Sequence, residues 1–407
     1  MIKINFIHLF YKVNKLLIKI LRIPLFIPAF FLFTLIRLIS FFYLVRIGRF
    51  RSDKIGHLSL EYEIYLEEKK KGINLPSKRY VDIFFREYTI CNHFYYNLRK
   101  KDFIIFPNLI FRELWLITKF LNNSEKFICD RKVTDTDINY ILDETKSCII
   151  LSNEIVRSNM KLLYERGLGQ NQKIVLLHLR DIAFRGYNEF TDYKNIYKID
   201  NYLKSVRYLI DLGYYVIRTG ARSNAPIKIN SKNFLDYPFS NIRTEELDVV
   251  IASQCNFCIS SGSGFDGLVR SFRKPVLFTN FLPISHFISQ SKYNMSIFKH
   301  IVDGATGEKL SFKELDKLSM INCFDGRKYK IKNLYIKENT EEEIFEALFE
   351  FIEYLSKNFN IKTNKIYDEQ IKKTYYNFEK DKSVKLHKKI NSLIAPSFLK
   401  RNSHFFS

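Results

Sequence analysis

Three short segments carry the residue types best suited to chemistry. His178-Leu179-Arg180-Asp181 ends one apolar run, Arg218-Thr219-Gly220 a second, and Ser260-Ser261-Gly262-Ser263-Gly264 a third. Asp236 closes a shorter run between the last two. Each run reads as a buried strand, so these residues fall at strand carboxyl ends, where open parallel sheets bind ligands. Arginine offers forked donors to phosphate oxygens, glycine lets backbone amides approach, and a helix N-terminus adds partial positive charge. His178, Arg180, Arg218, Ser261, Gly262, Ser263 and Gly264 together therefore suit a phosphorylated ligand. Two members also have plainer readings: Arg180 as a surface ion pair with Asp181, and Arg218 paired with Asp236 across adjacent strands. Gly262-x-Gly264-x-x-Gly267 fits the dinucleotide fingerprint only in outline. It belongs to a late βα unit, and no acid follows about twenty residues on to hold a ribose. A phosphate-binding turn suits it better.

Upstream, Gly56-His57 is followed by Glu61 and Glu63. A histidine titrates near neutrality and can work as a base, or it can simply cap or decorate a helix. Asp135-Thr136-Asp137 is a D-x-D, a spacing some transferases use to hold a divalent metal; following Thr134, it reads here as a helix cap. Cys255-x-x-Cys258 lies within a buried strand and has no second pair beside it, so zinc is not expected. The P-loop, nucleophile-elbow and H-E-x-x-H patterns are absent from the sequence, which removes most support for kinase, hydrolase and zinc-protease readings.

The elements that must position these residues alternate regularly. Strands are expected at 173–179, 214–218, 234–236, 256–260 and 275–279, with helices at 201–212, 245–253 and 266–272. An earlier α/β unit has strands at 80–85 and 103–106 and a helix at 109–121. Thr340 and Glu343 fit a capping box for a late helix. The expected division is 1–48 as a membrane-associating helical segment and 49–170 as a first Rossmann-like unit. Residues 171–335 form a second, ligand-binding one, 336–360 a bracing helix, and 361–407 a basic tail.

The 407 residues carry 65 Lys plus Arg against 43 Asp plus Glu, a net charge of +22. Residues 1–50 hold eight bases and no acid, and residues 362–407 hold eleven bases and four acids. The excess thus sits on the ends rather than on the folded middle, which argues for an anionic membrane surface over nucleic acid. His8, Lys12, Lys15, Lys19 and Arg22 fall on one helical face and Phe6, Phe10, Val13, Leu17 and Ile20 on another, as in a helix lying among headgroups. From Ile23 to Val45 only Arg37 is charged, long enough to lie on, enter or span a bilayer. Six irregularly spaced cysteines point to a reducing compartment.

The stretches DKIGHLSLEYEIYL (53–66), VLLHLRD (175–181), GYYVIRTG (213–220), LDVVIASQCNFCISSGSG (247–264) and RKPVLFTN (273–280) resemble a family of bacterial glycosyltransferases linked to surface-polysaccharide synthesis. The H-x-R of His178 and Arg180 is similar to that of GDP-fucose-dependent fucosyltransferases. The resemblance implies a GT-B-like α/β fold, two Rossmann-like doubly wound units facing a cleft, with the apolar N-terminal segment on the cytoplasmic face of the plasma membrane. It implies a nucleotide-sugar as co-substrate, no metal and no cofactor, and a lipid-linked or growing polysaccharide acceptor. Arg180 and the Ser261–Gly264 loop would contact the donor phosphates, with His178 beside them. By position alone, His57, or failing it Glu61 or Glu63, would be the acceptor-side base if this hexosyl or deoxyhexosyl transfer inverts. Polysaccharide pyruvyl transfer and a non-catalytic, membrane-bound glycan-binding scaffold are the alternatives.

Overall fold

The computed structural model describes residues 20–183, 186–356, 387 and 390–406. The amphipathic pattern expected before Arg22 and most of the basic tail lie outside the described residues. The chain divides into two compact units. The first comprises the described residues up to Lys54 together with Lys69–Thr134; the second comprises Ile55–Glu68 and the described residues from Asp135 onward. The expected boundary near residue 170 is thus not where the chain divides, and fourteen residues around His57 belong with the later unit.

In the first unit, strands β1 (Leu44–Phe50), β2 (Tyr80–Arg86) and β3 (Ile104–Phe106) form a parallel sheet in sequence order. The apolar stretch from Ile23 to Val45, read above as long enough to lie on, enter or span a bilayer, is not one continuous helix. Its residues form a short 3-10 turn, a 14-residue helix (Phe26–Ile39), and the first two residues of β1. Among the described residues no helix is long and apolar enough to cross a membrane. Pro24 and Pro28 fall in the opening turns, where the missing N–H costs little. One face of the helix, Ala29, Phe33 and Ile36, is buried against Leu44, Ile47, Phe85, Leu114 and Phe127. An apolar helix face that meets a buried strand gives the same one-dimensional signal as a membrane span.

Buried ion pairs fix this unit. The Arg22 guanidinium donates from Nε to Glu113 at 2.6 Å and from Nη2 to the Asn108 and Leu109 carbonyls, both at 2.8 Å. Arg46 on β1 meets its register partner Asp82 on β2 through two bonds of 2.6 and 2.8 Å. Arg49 pairs with Glu87. Two of the eight cations that make the first fifty residues so basic are therefore neutralised inside the fold, and a third, the partly exposed Arg49, is paired nearer the surface.

The second unit holds a seven-stranded parallel sheet in the order Leu393–Ile394 (β12), Asn294–Phe298 (β9), Val276–Phe281 (β8), Phe257–Ser260 (β7), Ile174–His178 (β4), Tyr215–Thr219 (β5) and Phe234–Asp236 (β6). Strands β4 (Ile174–His178), β5 (Tyr215–Thr219), β6 (Phe234–Asp236), β7 (Phe257–Ser260) and β8 (Val276–Phe281) fall where the apolar runs place them. Val175, Leu176 and Leu177 have no exposed surface, as a strand covered on both faces requires. Winding runs one way from β4 through β6 and then reverses, so β4 and β7 adjoin at the switch point. Helix Leu203–Asp211 packs with Glu341–Leu355, and Glu245–Gln254 with Gly264–Ser271, giving a helical layer on each side.

Strand β9 (Asn294–Phe298) and the antiparallel pair β10 (His300–Asp303) and β11 (Leu334–Lys337) were not expected. Helix Glu341–Leu355 has the expected Thr340/Glu343 capping box and packs on the second unit's own strands, against β8 and β9. The end of the basic tail is also structured. Leu393–Ile394 forms β12 alongside β9, and Arg401 donates to Glu346 at 2.6 Å.

Candidate active site at the switch point of the second sheet

His178 ends β4 and stands in register with Thr219 of β5 and Ser260 of β7. Its Nδ1 lies 2.9 Å from Thr219 Oγ1 and its Nε2 2.9 Å from Ser263 Oγ, while the ring stacks on Phe265 at 4.8 Å. Burial, with Arg180 and Arg218 pushing the same way, lowers its pKa to about 4. His178 is therefore a neutral brace that holds the Ser263 turn.

The turn is built for close approach. Gly262 has φ +77°, and a Cβ there would sit 3.0 Å from the Phe281 ring. The Ser261 N–H bonds to the His178 carbonyl at 3.2 Å, and the Ser261 hydroxyl accepts the Arg180 N–H at 2.9 Å. Gly262 N–H donates to Ser260 Oγ at 3.2 Å and Ser263 N–H to Asp266 Oδ2 at 2.6 Å. The amides of Ser261, Gly262 and Ser263 are thus engaged internally, and the donors available to a ligand lie one step further on. Gly264 and Phe265 open the helix Gly264–Ser271, where the first amides have no intrahelical acceptor. Burial raises the Asp266 carboxyl to about 6 despite Arg270 and those hydrogen bonds.

Lys194 and the buried Lys299 both lie within electrostatic reach of Arg180. Burial lowers Lys194 to about 8, and Arg180 pushes it the same way against Asp135 and Asp266. Lys299 follows β9, donates to the Asn195 carbonyl at 2.6 Å, and is also lowered to about 8 by burial, with Arg180 within reach. Neither lysine carried a sequence signal. Lys194 ends a single 3-10 turn, and Lys299 follows a strand that was not expected.

Arg218 requires a correction. It is 1% exposed and donates to the Ala225 carbonyl at 2.7 Å, lies 3.3 Å from Asp236, and bonds Ser223. The plainer reading, pairing with Asp236 across the strands, is what the structure contains. Asp181 does not turn toward Arg180. It accepts the Ser223 hydroxyl at 2.5 Å and the Asn224 amide at 3.1 Å.

The segment around His57 comes to this same site. Gly56 lies against the loop helix so closely that a Cβ on it would fall 2.9 Å from Gly264 Cα, and one on Gly267 would fall 3.0 Å from Gly56 Cα. His57–Glu61 is a π-helical turn, a local widening often found where side chains are aimed at a site. His57 Nδ1 lies 3.2 Å from Glu61 Oε2. Asp135 is within electrostatic reach of both His57 and Arg270, which more than offset burial and hold its carboxyl below the ordinary value. The spacing Gly264-x-x-Gly267 was the one sequence signal for this contact, since small residues a helical turn apart allow another backbone to approach.

Glu63 stands differently. It has no exposed surface, lies 3.0 Å from Arg273 Nη2, and accepts the Cys148 N–H at 2.7 Å. Its carboxylate is thereby held in the interior rather than presented to an acceptor. With Glu67 and Cys148 it forms the one group among the described residues that has metal-ligand spacing. Within that group the Cys148 thiol donates to Glu67 at 2.7 Å, and Arg273 balances the Glu63 charge. Asp135-Thr136-Asp137 opens no helix, which corrects the capping expectation; Asp137 instead accepts the Leu142 N–H at 2.8 Å. Burial raises the thiols of Cys255, to about 12, and Cys258, so neither is a ready ligand. A polar cavity lined by Arg270, Lys274, Gln290 and Asn294 lies at the opposite, amino-terminal edge of the strands.

No protein-family model matches this sequence, and no curated protein matches it. Among solved structures, the chain is similar to a glycosyl transferase family 9 protein from Veillonella parvula. That likeness has 9% identity, covers 75% of this chain and 96% of the other, and has a TM-score of 0.43. It is also similar to the ADP-heptose LPS heptosyltransferase II of E. coli, with 10% identity, 62% and 90% coverage, and a TM-score of 0.35. The iron-containing dodecameric glycosyltransferase TibC of enterotoxigenic E. coli gives 10% identity, 61% coverage of each chain, and 0.31. These three neighbours are glycosyltransferases, and none is named as a fucosyltransferase. Every TM-score is below one half, so the functional reading rests on the site and not on these likenesses.

Proposed function

We propose that this protein is a GT-B-like glycosyltransferase that moves a hexose or deoxyhexose from a nucleotide-sugar onto a lipid-linked or growing surface-polysaccharide acceptor. One observation supports the reading most. Arg180, Lys194, the leading amides of the helix Gly264–Ser271 and the His57–Glu61 pair all belong to the switch point of one parallel sheet. In this reading the amides of Gly264 and Phe265 hold the donor diphosphate. Arg180 and Lys194 meet the charge that grows on the departing phosphate oxygen, and no metal is required. The acceptor oxygen attacks the anomeric carbon, the bond from that carbon to the phosphate oxygen breaks, and configuration inverts. The acceptor proton passes to His57 Nε2, with Glu61 stabilising the imidazolium through Nδ1. His178 takes no part in proton transfer; it positions Ser263.

The reading is tested by incubating the protein with a panel of nucleotide-sugars and extracted glycolipid acceptors, with and without EDTA. Nucleoside diphosphate is expected from one donor class under both conditions, and Arg180→Ala should abolish its release. Phosphate released from phosphoenolpyruvate with a pyruvylated product would replace this reading with pyruvyl transfer. Lys194 adds a pH signature. Nucleotide affinity should weaken as pH rises through about 8, where the free protein's Lys194 loses its proton. Lys194→Arg should remove that step from a titration of Kd against pH, and a step that persists would assign it elsewhere.

A further inference from the structure

The helix Phe26–Ile39 presents two apolar faces, and the described residues cover only one of them. Opposite the buried face, Ile27, Phe30, Phe31 and Leu38 are exposed, and Phe41 and Phe42 in the following turn are 75% and 78% exposed. Contiguous apolar surface of this kind is rare on a protein that meets only water. Its polar groups are already satisfied. The Thr34 hydroxyl donates to the Phe30 carbonyl at 2.9 Å and the Ser40 hydroxyl to the Arg37 carbonyl at 2.6 Å. The amides of Phe42 and Tyr43 both return to the Ile39 carbonyl, at 2.9 and 3.0 Å. A surface with few unmet donors enters hydrocarbon at little polar cost.

Charge indicates what covers it. Neither the helix nor the turn holds an acid, and none occurs anywhere in the first fifty residues. Arg37, Lys78 and Arg79 are exposed, and Lys78 Nζ lies 5.6 Å from the centre of the Phe41 ring and donates to the Phe41 carbonyl. Apolar and aromatic side chains edged by long cationic ones match the interface of an anionic bilayer, where lysine and arginine reach back to phosphate. The helix cannot cross that bilayer. Its 14 residues reach about 21 Å against roughly 30 Å of hydrocarbon, and its inner face is already committed to the first unit's core.

We infer that the outward face of Phe26–Ile39, with Phe41 and Phe42, docks in-plane on an anionic lipid bilayer. This rests on the first unit alone and stands whether or not the protein transfers sugars. The test is co-sedimentation of the full chain with phosphatidylcholine vesicles and with vesicles of equal parts phosphatidylcholine and phosphatidylglycerol. The protein should pellet with the anionic vesicles. Ile27→Ser/Phe31→Ser/Leu38→Ser should weaken that binding about tenfold or more while the melting temperature stays at the parent's. Arg37→Glu/Lys78→Glu should erase the preference for phosphatidylglycerol. Should the triple variant fail to fold, Phe42→Trp gives a second readout, an indole emission that shifts to the blue on anionic vesicles. A parent that stays in the supernatant, a triple variant that pellets equally, or no blue shift would overturn the inference. So would a triple variant that turns a dimer into a monomer without changing vesicle binding, since a second copy would then cover the face.

Discussion

His57→Ala is expected to lose roughly 10²–10⁴-fold in kcat while nucleotide affinity stays within about twofold, since a general base contributes on that scale and makes no phosphate contact. The geometry behind this is local. Gly56 seats against Gly264 and Gly267, which places the histidine beside the helix whose first amides would hold the diphosphate. Glu61→Gln should cost less, because it removes the carboxylate 3.2 Å from Nδ1 but leaves the imidazole in place. Steady-state kinetics over a pH series check both variants. Full activity in His57→Ala would remove the histidine from the chemistry, and Glu61 would become the base to test.

The second large effect is on stability. Glu113 has no exposed surface and receives Arg22, whose other donors reach Asn108 and Leu109. Glu113→Ala strands a buried guanidinium and is expected to destabilise the first unit by about 3–5 kcal/mol. Arg22→Met/Glu113→Leu removes both charges and should recover most of that loss, because desolvating an ion pair offsets much of its Coulomb attraction. Chemical denaturation followed through Trp115, which lies in that unit and donates to Asp130 at 2.6 Å, reads both variants. A loss below about 1 kcal/mol in Glu113→Ala would mean that water reaches Arg22 and that the N-terminal helix is held by its apolar face alone.

Much of the second unit was legible because a parallel sheet declares itself locally. Its strands are unbroken apolar runs, each followed by the polar residues of a carboxyl-end loop, as at 174–181 and 257–264. The functional distinction between Arg180 and Arg218 was less accessible. Both are arginines at a strand end, and only Asp236, in register with Arg218, separates them. Pairing was visible as an alternative, but sequence alone did not decide between pairing and ligand binding. The destination of Ile55–Glu68 was not legible at all, because nothing in a local pattern states which unit a segment joins. The same limit hid Lys194 and Lys299, which come within reach of Arg180 through tertiary packing. The apolar stretch 23–45 was legible only in part, for a different reason. Hydropathy adds the face that packs inward to the face that stays outside, and only the fold separates them.

The central claim is that a nucleotide diphosphate binds at the β4–β7 switch point through Arg180. Differential scanning fluorimetry with UDP, GDP, CDP, ADP, CMP and phosphoenolpyruvate tests it most directly, with Arg180→Ala as the comparison. A ligand at a hundredfold excess over Kd stabilises the native state by about 2.7 kcal/mol, a readily measured shift. One nucleoside diphosphate should raise the melting temperature of the parent and leave Arg180→Ala unmoved. A well-folded parent that none of these ligands stabilises, or a shift that survives in Arg180→Ala, would contradict the site.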